Sequence, residues 1–475
     1  MLIKRLVAIC LIAVLLCSTL CACGDSGAPT ITRTPAPTPI SEDNQKDYTD
    51  DLALLESIVA YRQSFSDLTE SPAADFAVDA CEGGVAVLSY RGSDKRVRVP
   101  EMINGSPVVA VTDAAFANNT VMTALYLPDS ISAIGEGILS GCQSLACLRT
   151  PLLGASKSGD QYIGYLFGAK QYSDNAMHVP ASLKYLELGV AMEELADYAL
   201  FDAANLVCLT LPETLTRLGS YSMYRCSDLV AVNLSGVRVI EDHAMSACSS
   251  LSLIELGGGV TAIGLGAFEG CISIRRMILP FIGATLAEGG YLGYLFGAEA
   301  PDFSEGYYPP YLVEVELLTG CTAIGDYAFY ECGSLTRLSL PEGIASIGVR
   351  ALSGCGRLEG IAFPDSLTSI RENAFSGCRN LRTVDFGEDS MLTSIGINAF
   401  YGCDALTEVR LPATLTALPT SCFADCRALT TLELGGVLHV GKNAFRHCTA
   451  LTAATAKKEI KLEKGNDALS RCLSQ

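Results

Sequence analysis

A motif that returns every ~23 residues constrains this chain more than any other feature of its sequence. The segment Asn373-Ala-Phe-Ser-Gly-Cys378 recurs as Asn398-Ala-Phe-Tyr-Gly-Cys403, and shorter copies end at Cys332 and Cys448. Along the chain the cysteines of this position follow one another at 226, 248 and 271 and again at 332, 355, 378, 403, 426 and 448. A unit this short has too little apolar surface for a core of its own, so the repeats must stack on one another.

Each repeat combines a short strand with a series of turns. In Leu335-Thr-Arg-Leu338-Ser-Leu340-Pro341, apolar and variable residues alternate as they do in a half-buried strand. The proline ends the strand because it has no N–H to donate to a ladder. Ala351, Leu352 and Cys355 then fall three and four positions apart, as on one helical turn. The sequence therefore predicts a solenoid of stacked ~23-residue units, with a parallel β-sheet on one face and short turns or helical turns on the other.

Two repeats are longer than the rest. The stretch from Cys142 to Ala203 is as long as the stretch from Cys271 to Cys332, and each corresponds to one ordinary repeat plus one long unit. The long units lie near 146–183 and 275–312, and each contains a copy of one motif, Tyr-x-Gly-Tyr-Leu-Phe-Gly-Ala, at 162–169 and 291–298. Two interpretations remain open: the extra residues fold back onto the core, or they project as contact loops.

Residues 1–22 have the pattern of a secretory signal peptide. Lys4 and Arg5 precede an apolar run over 6–16, which is too short to span a bilayer. Leu20-Cys21-Ala22-Cys23 resembles the bacterial lipobox. That resemblance implies cleavage before Cys23 and a diacylglycerol on its sulfur, and two acyl chains are enough for stable anchoring. Ordinary signal cleavage that leaves Cys23 unmodified is the alternative.

A linker and a short helix are predicted before the repeats. Residues 23–50 are rich in proline and threonine and form a semi-rigid spacer. Residues 51–75 form an N-terminal helix or cap, because Leu52, Leu55, Ile58 and Val59 follow helical spacing. The solenoid occupies 76–456, and 457–475 form a C-terminal cap or tail.

Composition excludes several functions. The chain has 33 basic and 52 acidic residues, a formal net charge of −19, which argues against binding to nucleic acid. With four histidines and no C-x-x-C pair, it offers no recognisable metal site, and it has no catalytic motif or cofactor loop. Outside the signal and spacer, no non-repetitive stretch is long enough for a catalytic domain. We therefore expect no enzyme activity, no catalytic residue, no cofactor and no metal, and cysteines that pack in the core as thiols.

The complete repeat resembles a known bacterial family. The pattern L-x-x-I-x-L-P, followed by I-G-x-x-A-F-x-x-C-x-x-L, looks like the BspA-like, or Treponema-type, leucine-rich repeat over roughly 76–456. The resemblance implies a leucine-rich-repeat solenoid that acts as a surface-exposed scaffold for binding or adhesion.

We expect a monomer, exported and lipid-anchored on the outer face of the cell membrane or cell surface, that binds another macromolecule non-covalently. The partner would be a protein or glycan of a host or of a neighbouring cell. A structural envelope spacer without a specific ligand is the alternative, and an enzyme is the less favoured one. Variable strand positions form the exposed face of the predicted sheet, and the inserts carry tyrosines. The candidate contact residues are Tyr172, Phe303, Tyr307 and Tyr308 in the inserts and Tyr185, Glu187, Glu314 and Glu316 on the strands.

Overall fold

The computed structural model describes residues 68–158, 161–286 and 290–473. The predicted signal peptide, Cys23, the linker and residues 51–67 of the predicted helix lie outside the described residues. The described chain falls into two compact units. The first runs to Ser252 and includes Ala267–Ile272, and the second comprises Leu253–Gly266 and the residues from Ser273 onward.

The first unit is built from short strands and turns. Its 3-10 helices are Ala73–Asp75, Ile163–Phe167 and Tyr172–Asp174, and its α-helix is α1 (Asn175–His178). Its strands are β1 (Phe76–Cys81), β2 (Gly84–Tyr90), β3 (Arg96–Arg98), β4 (Met102–Ile103), β5 (Ser106–Val111), β6 (Ala124–Tyr126), β7 (Ala133–Ile134), β8 (Cys147–Thr150), β9 (Tyr185–Leu188), β10 (Glu194–Leu195), β11 (Cys208–Thr210), β12 (Arg217–Leu218), β13 (Ala231–Val232) and β14 (Val239–Ile240).

Two parallel ladders organise the first unit. Six parallel strands form one sheet in the order β13-β11-β9-β8-β6-β3. On another side of the same repeats, β10, β12 and β14 form a second parallel ladder. Antiparallel pairs occur at the start of the unit, where β1 pairs with β2 and β4 pairs with β5.

The second unit repeats the same plan. Its 3-10 helices are Leu292–Phe296 and Pro301–Gly306, and its α-helix is α2 (Asp467–Leu473). Its strands are β15 (Leu253–Glu255), β16 (Ala262–Ile263), β17 (Arg276–Leu279), β18 (Glu314–Leu317), β19 (Ala323–Ile324), β20 (Arg337–Ser339), β21 (Ser346–Ile347), β22 (Gly360–Ala362), β23 (Ser369–Ile370), β24 (Thr383–Asp385), β25 (Ser394–Ile395), β26 (Glu408–Arg410), β27 (Ala417–Leu418), β28 (Thr431–Glu433), β29 (His439–Val440), β30 (Ala453–Thr455) and β31 (Lys461–Leu462).

Strand register in the second unit follows the repeat period. Ala323, Ser346 and Ser369 pair in one line across β19, β21 and β23, and each is separated from the next by one repeat of sequence. The longer strands pair in the runs β15-β17-β18-β20, β22-β24 and β26-β28-β30, all parallel. Stacked turns of this length with parallel strands confirm the predicted leucine-rich-repeat solenoid.

Side chains at equivalent repeat positions stack on one another inside each unit. In the second unit, the rings of Phe375, Phe400, Phe423 and Phe445 lie nearly parallel, with centroids 5.1, 5.0 and 5.6 Å apart. All four are fully buried. Identical side chains meet because successive strands are separated by about 4.8 Å, which lies within the range of centroid distances at which aromatic rings pack favourably.

The repeated cysteine also forms a file, and its thiols make hydrogen bonds. Cys355 donates to the carbonyl of Phe329 at 3.1 Å, and Cys378 donates to the carbonyl of Leu352 at 3.2 Å. In each case the acceptor lies one repeat earlier in the chain. The described cysteines are all in the thiol form. A small, weakly polar side chain therefore packs in the core while it also satisfies a buried carbonyl.

The last described elements close the end of the second unit. Leu469 of α2 is fully buried. Asn466, also buried, accepts a hydrogen bond from the backbone N–H of Phe445 at 3.0 Å and donates to the carbonyls of Gly441 and Glu463. Polar groups of the final repeat thus find partners within the chain.

Candidate interaction surface

Each longer strand has one side chain in the core and two on the opposite side of the sheet, which we call the outward face. In Glu408-Val409-Arg410, Val409 is fully buried while both neighbours are exposed. This alternation follows from the two-residue period of a strand. The outward face is therefore composed of the first and third residues of the longer strands.

In the second unit, the outward face is open and carries both signs of charge. Its charged side chains are Glu255, Arg276, Glu314, Glu316, Arg337, Asp385, Glu408, Arg410 and Glu433, all exposed or half-buried. Opposite charges face each other across neighbouring strands: Arg276, Glu314 and Arg337 lie in one register line. The row resembles a surface suited to polar recognition rather than an apolar groove.

Ion pairs hold these side chains in place. Arg276 Nη2 lies 2.6 Å from Glu316 Oε2, and Arg337 Nη1 lies 3.7 Å from Glu314 Oε1. Glu314 is thus engaged by arginines from both adjacent strands, and Glu316 by Arg276 from one of them. Among the described residues, no group of three or more metal-ligating side chains comes together.

In the first unit, the outward face is covered. Tyr185 is only 1% exposed, and its hydroxyl donates to Glu187 Oε2 at 3.1 Å and lies 3.0 Å from Thr210 Oγ1. The expectation that Tyr185 is open to a partner is therefore wrong. Alternation assigns its side chain to the correct side of the sheet, but it carries no information about what lies above that side. Glu187 remains half-buried.

Arg149 is the centre of this covered face. Its guanidinium contacts Asp129 Oδ2 at 2.6 Å and Glu187 Oε1 at 3.1 Å, and it donates to the carbonyl of Leu127 at 2.9 Å. Burial alone would lower the pKa of Arg149, but the hydrogen bond and charge of Asp129 outweigh it and raise that pKa. Arg149 occupies a variable strand position, yet its side chain is buried and its charge is fully paired.

The motif shared by the two inserts takes the place of an ordinary repeat turn. In the first insert, the N–H of Gly137 donates to the carbonyl of Tyr165 at 3.0 Å, and the N–H of Ile163 donates to the carbonyl of Ala199 at 2.9 Å. The second insert repeats the arrangement, since Gly266 donates to Tyr294. Phe167 and Phe296 are buried. Of the two open interpretations, packing therefore applies to the shared motif.

The residues that follow each motif differ in exposure. Tyr172 is half-buried and stacks on Tyr198, with ring centroids 4.2 Å apart. Phe303 is 71% exposed, and Tyr307 is half-buried. Tyr308 is only 9% exposed and donates to the carbonyl of Tyr330 at 3.0 Å, so it belongs to the core and is not an open contact residue. Burial raises the pKa of Tyr308 well above its usual value.

A ladder of aromatic rings in the first unit was missed by sequence reasoning. Tyr172, Tyr198, Tyr221 and His243 stack in one file, with successive centroids 4.2, 5.4 and 5.0 Å apart. The last three occupy equivalent positions in successive repeats, one repeat apart in sequence. That spacing could have revealed the file. Because the rings cover each other's faces, the ladder stabilises the stack of repeats.

A family model for the "BspA type leucine rich repeat region" matches the chain with six copies, over residues 100–157, 171–287, 305–429 and 388–474. These matches span well over half of the sequence. The chain belongs to the BspA-type leucine-rich repeat family. Leucine-rich repeat proteins generally act as scaffolds for protein–protein interaction or adhesion, and they are typically not enzymes.

Solved structures with similar repeats come from several bacteria. A leucine-rich cell surface protein from Faecalibacterium prausnitzii is 20% identical, with 86% of this chain and 98% of that chain covered and a TM-score of 0.33. A leucine-rich repeat protein from Bacteroides ovatus is 18% identical, with 84% and 99% covered and a TM-score of 0.36. An internalin from Listeria monocytogenes is 13% identical, with 65% and 80% covered and a TM-score of 0.31.

No curated protein matches this BspA-type chain. Within the part of the chain that the structure describes, no helix is long and apolar enough to cross a membrane.

Proposed function

We propose that this BspA-type protein is a cell-surface lipoprotein that binds another macromolecule non-covalently through the outward face of its second unit. The observation that carries the proposal is the open, mixed-charge row on the strands of that unit. Side chains on hydrogen-bonded strands are held in fixed positions, so a partner can be recognised without ordering a loop.

Arginines on this face are suited to recognition. Arg337 and Arg410 are exposed, and Arg410 is oriented by Glu408 at 2.7 Å and by Glu433 at 3.6 Å. Arginine is enriched among residues that dominate binding energy, and mixed charges fix the register and orientation of a partner. Phe303 adds an exposed aromatic side chain in the same unit. These features favour a protein or a glycan on the surface of a host or neighbouring cell.

A structural spacer without a specific ligand is the second candidate. One observation favours it: charges on the outward face neutralise one another within the chain, as Arg276 does with Glu316 at 2.6 Å. A row of internally paired charges can remain solvated and bind nothing. Exposed ion pairs are common on protein surfaces and contribute little to stability, so their presence does not by itself require a ligand.

A pair of charge-matched variants tests the proposal. Arg337→Glu with Arg410→Glu changes the outward face, and Lys442→Glu with Arg446→Glu makes the same change of net charge on exposed turn residues of the same unit. Both are measured for saturable, salt-dependent binding to immobilised extracellular-matrix proteins, glycan arrays and intact neighbouring cells. We expect the first variant to weaken binding by about 10-fold or more and the second to bind as the unmodified protein does.

Equal weakening by the two variants would show that net charge, and not the outward face, governs binding. Absence of saturable binding to every probe would favour the spacer. Melting temperatures of both variants should stay close to that of the unmodified protein, because all four substituted side chains are exposed.

Export and anchoring belong to the same proposal. Residues 1–22 direct secretion, Cys23 carries the lipid, and the proline-rich residues that follow form the spacer. At about 3.1 Å per residue, an extended spacer over 24–50 reaches at most about 80 Å from the membrane.

A further inference from the structure

The outward face of the first unit is buried where the equivalent face of the second unit is open. Ala124, Cys147, Tyr185 and Cys208 lie side by side in one register line across β6, β8, β9 and β11. Their exposures are only 1 to 4%. They form an apolar cluster on the side of the sheet that faces away from the repeat core. Four outward side chains of this kind are buried only when something lies on top of them.

The beginning of the described chain lies against this cluster. Leu68 packs on it as a half-buried apolar side chain. Shortly afterwards the chain runs along the free edge of β3: the N–H of Ser71 donates to the carbonyl of Arg98 at 2.9 Å, and the N–H of Arg98 donates to Ser71 Oγ at 3.2 Å. Arg98 Nη1 also donates to the carbonyl of Leu68 at 3.2 Å. The described chain therefore begins at the rim of the outward face.

The apolar pattern and the length of residues 51–67 match the outward face of the first unit. In residues 51–67, Leu52, Leu55, Ile58 and Val59 recur at helical spacing, with Ala60 on the opposite side of such a helix. A helix over this whole segment is about 25 Å long. Six strands are separated by five spacings, or about 24 Å. An amphipathic segment of this length matches the width of the six-stranded sheet.

We propose that residues 51–67 of this chain lie across the outward face of the first unit and occupy it with their apolar side. The occupant is a segment of the same chain, so the apolar cluster of the first unit is not open to an outside partner. The inference does not rest on the proposed function, because it concerns only how the chain covers its own apolar cluster.

Native thiol labelling of the full chain tests the inference, with peptide-resolved mass spectrometry to follow each cysteine. Exposed Cys81 serves as the fast reference and core Cys378 as the slow one. In the unmodified protein, Cys147 and Cys208 should react with a maleimide as slowly as Cys378. Ile58→Asp should accelerate their labelling by about 10-fold or more, because a buried carboxylate opposes docking of the segment. Ala60→Asp is the matched control and should leave both rates unchanged.

Rapid labelling of Cys147 in the unmodified protein would overturn the inference. So would labelling rates of Cys147 and Cys208 in the Ile58→Asp variant that equal those in the unmodified protein. Protection that is lost on dilution and insensitive to Ile58→Asp would assign the face to a second copy of the chain instead. If Ile58→Asp disturbs the whole fold, Cys378 will also react, and a cross-linking variant then decides. Ile58→Cys should form a disulfide with Cys147 or Cys208 under mild oxidation while Ala60→Cys forms neither, and failure of that bond would reject the proposed docking.

Discussion

At the scale of single residues, the repeated cysteine supplies a buried hydrogen-bond donor, as Cys355 and Cys378 show. Cys355 and Cys378 are fully buried, and each thiol reaches a carbonyl one repeat earlier. Burial raises the pKa of these thiols because a thiolate would lose its hydration. The pKa of Cys332 is raised to about 12 from an ordinary value of 9.0, and that of Cys355 is raised well above it.

These pKa values predict a loss of stability in alkali. An unfolded chain releases its thiol protons near pH 9, whereas the folded chain keeps them until the pH approaches 12 at Cys332. The contribution of each buried thiol to the free energy of unfolding is therefore complete below about pH 9 and falls above it, by at most about 1.4 kcal/mol per pH unit for each thiol. Urea unfolding at pH 7, 9 and 10.5 should give a small decrease in the free energy between the first two values and a much steeper decrease to the third.

A variant carrying alanine at Cys332, Cys355 and Cys378 provides the control, since its alkaline slope should be shallower. A free energy of unfolding that stays flat from pH 9 to pH 10.5 would contradict the assignment of these cysteines as buried, protonated thiols.

At the scale of elements, each insert combines a structural part with an open part. In the second insert, the 3-10 helix Leu292–Phe296 replaces a repeat turn, and its Phe296 is 1% exposed. The next 3-10 helix, Pro301–Gly306, carries Phe303 with 71% exposure. One insert thus contains a buried phenylalanine and an exposed one.

Alanine substitutions at these two phenylalanines should separate the two roles. Phe296→Ala leaves a cavity among packed side chains and should lower the free energy of unfolding by about 3–5 kcal/mol. Phe303→Ala removes an exposed ring and should change it by less than about 0.5 kcal/mol. Denaturant midpoints of the two variants measure the difference. Similar losses for both would mean that Phe303 also packs within the fold.

At the scale of the whole molecule, the repeats form the folded solenoid, and we propose that the residues N-terminal to them determine its cellular location. The proposed arrangement has a signal peptide, a lipid on Cys23 and a spacer, followed by a scaffold whose strong negative charge opposes adsorption to acidic surfaces. Two acyl chains on one residue hold a protein at a membrane, whereas an unmodified N-terminus does not.

Cys23→Ser should therefore abolish anchoring. The expected result is a precursor that stays unprocessed or a protein that appears in the medium, measured by fractionation of cells into membrane and soluble parts. Cys21→Ser is the matched control and should leave the protein in the membrane fraction. Mass spectrometry of the mature N-terminus gives the direct readout, and an unmodified Cys23 in the native protein would refute lipid anchoring.

The architecture could be predicted from sequence because every repeat makes the same contacts as its neighbours. A regular repeat period fixes which side chains meet, so the pattern around Cys378 and Leu381 was sufficient to predict strands, turns and buried files. Side-chain alternation likewise assigned Glu314 and Glu316 to the outward face, where the structure has them.

Departures from the repeat were decided only by the tertiary structure. Tyr185 and Arg149 occupy outward positions like those of Glu314 and Glu316, yet they are buried. Tyr307 and Tyr308 are neighbours in sequence, but only Tyr308 reaches the carbonyl of Tyr330 and enters the core. Periodicity specifies the side of the strand to which a residue belongs, because that depends on local geometry. Whether that side is covered depends on segments that are distant in sequence and make their contacts only once. A contact that is made once produces no periodic pattern in the sequence, so periodicity cannot predict it.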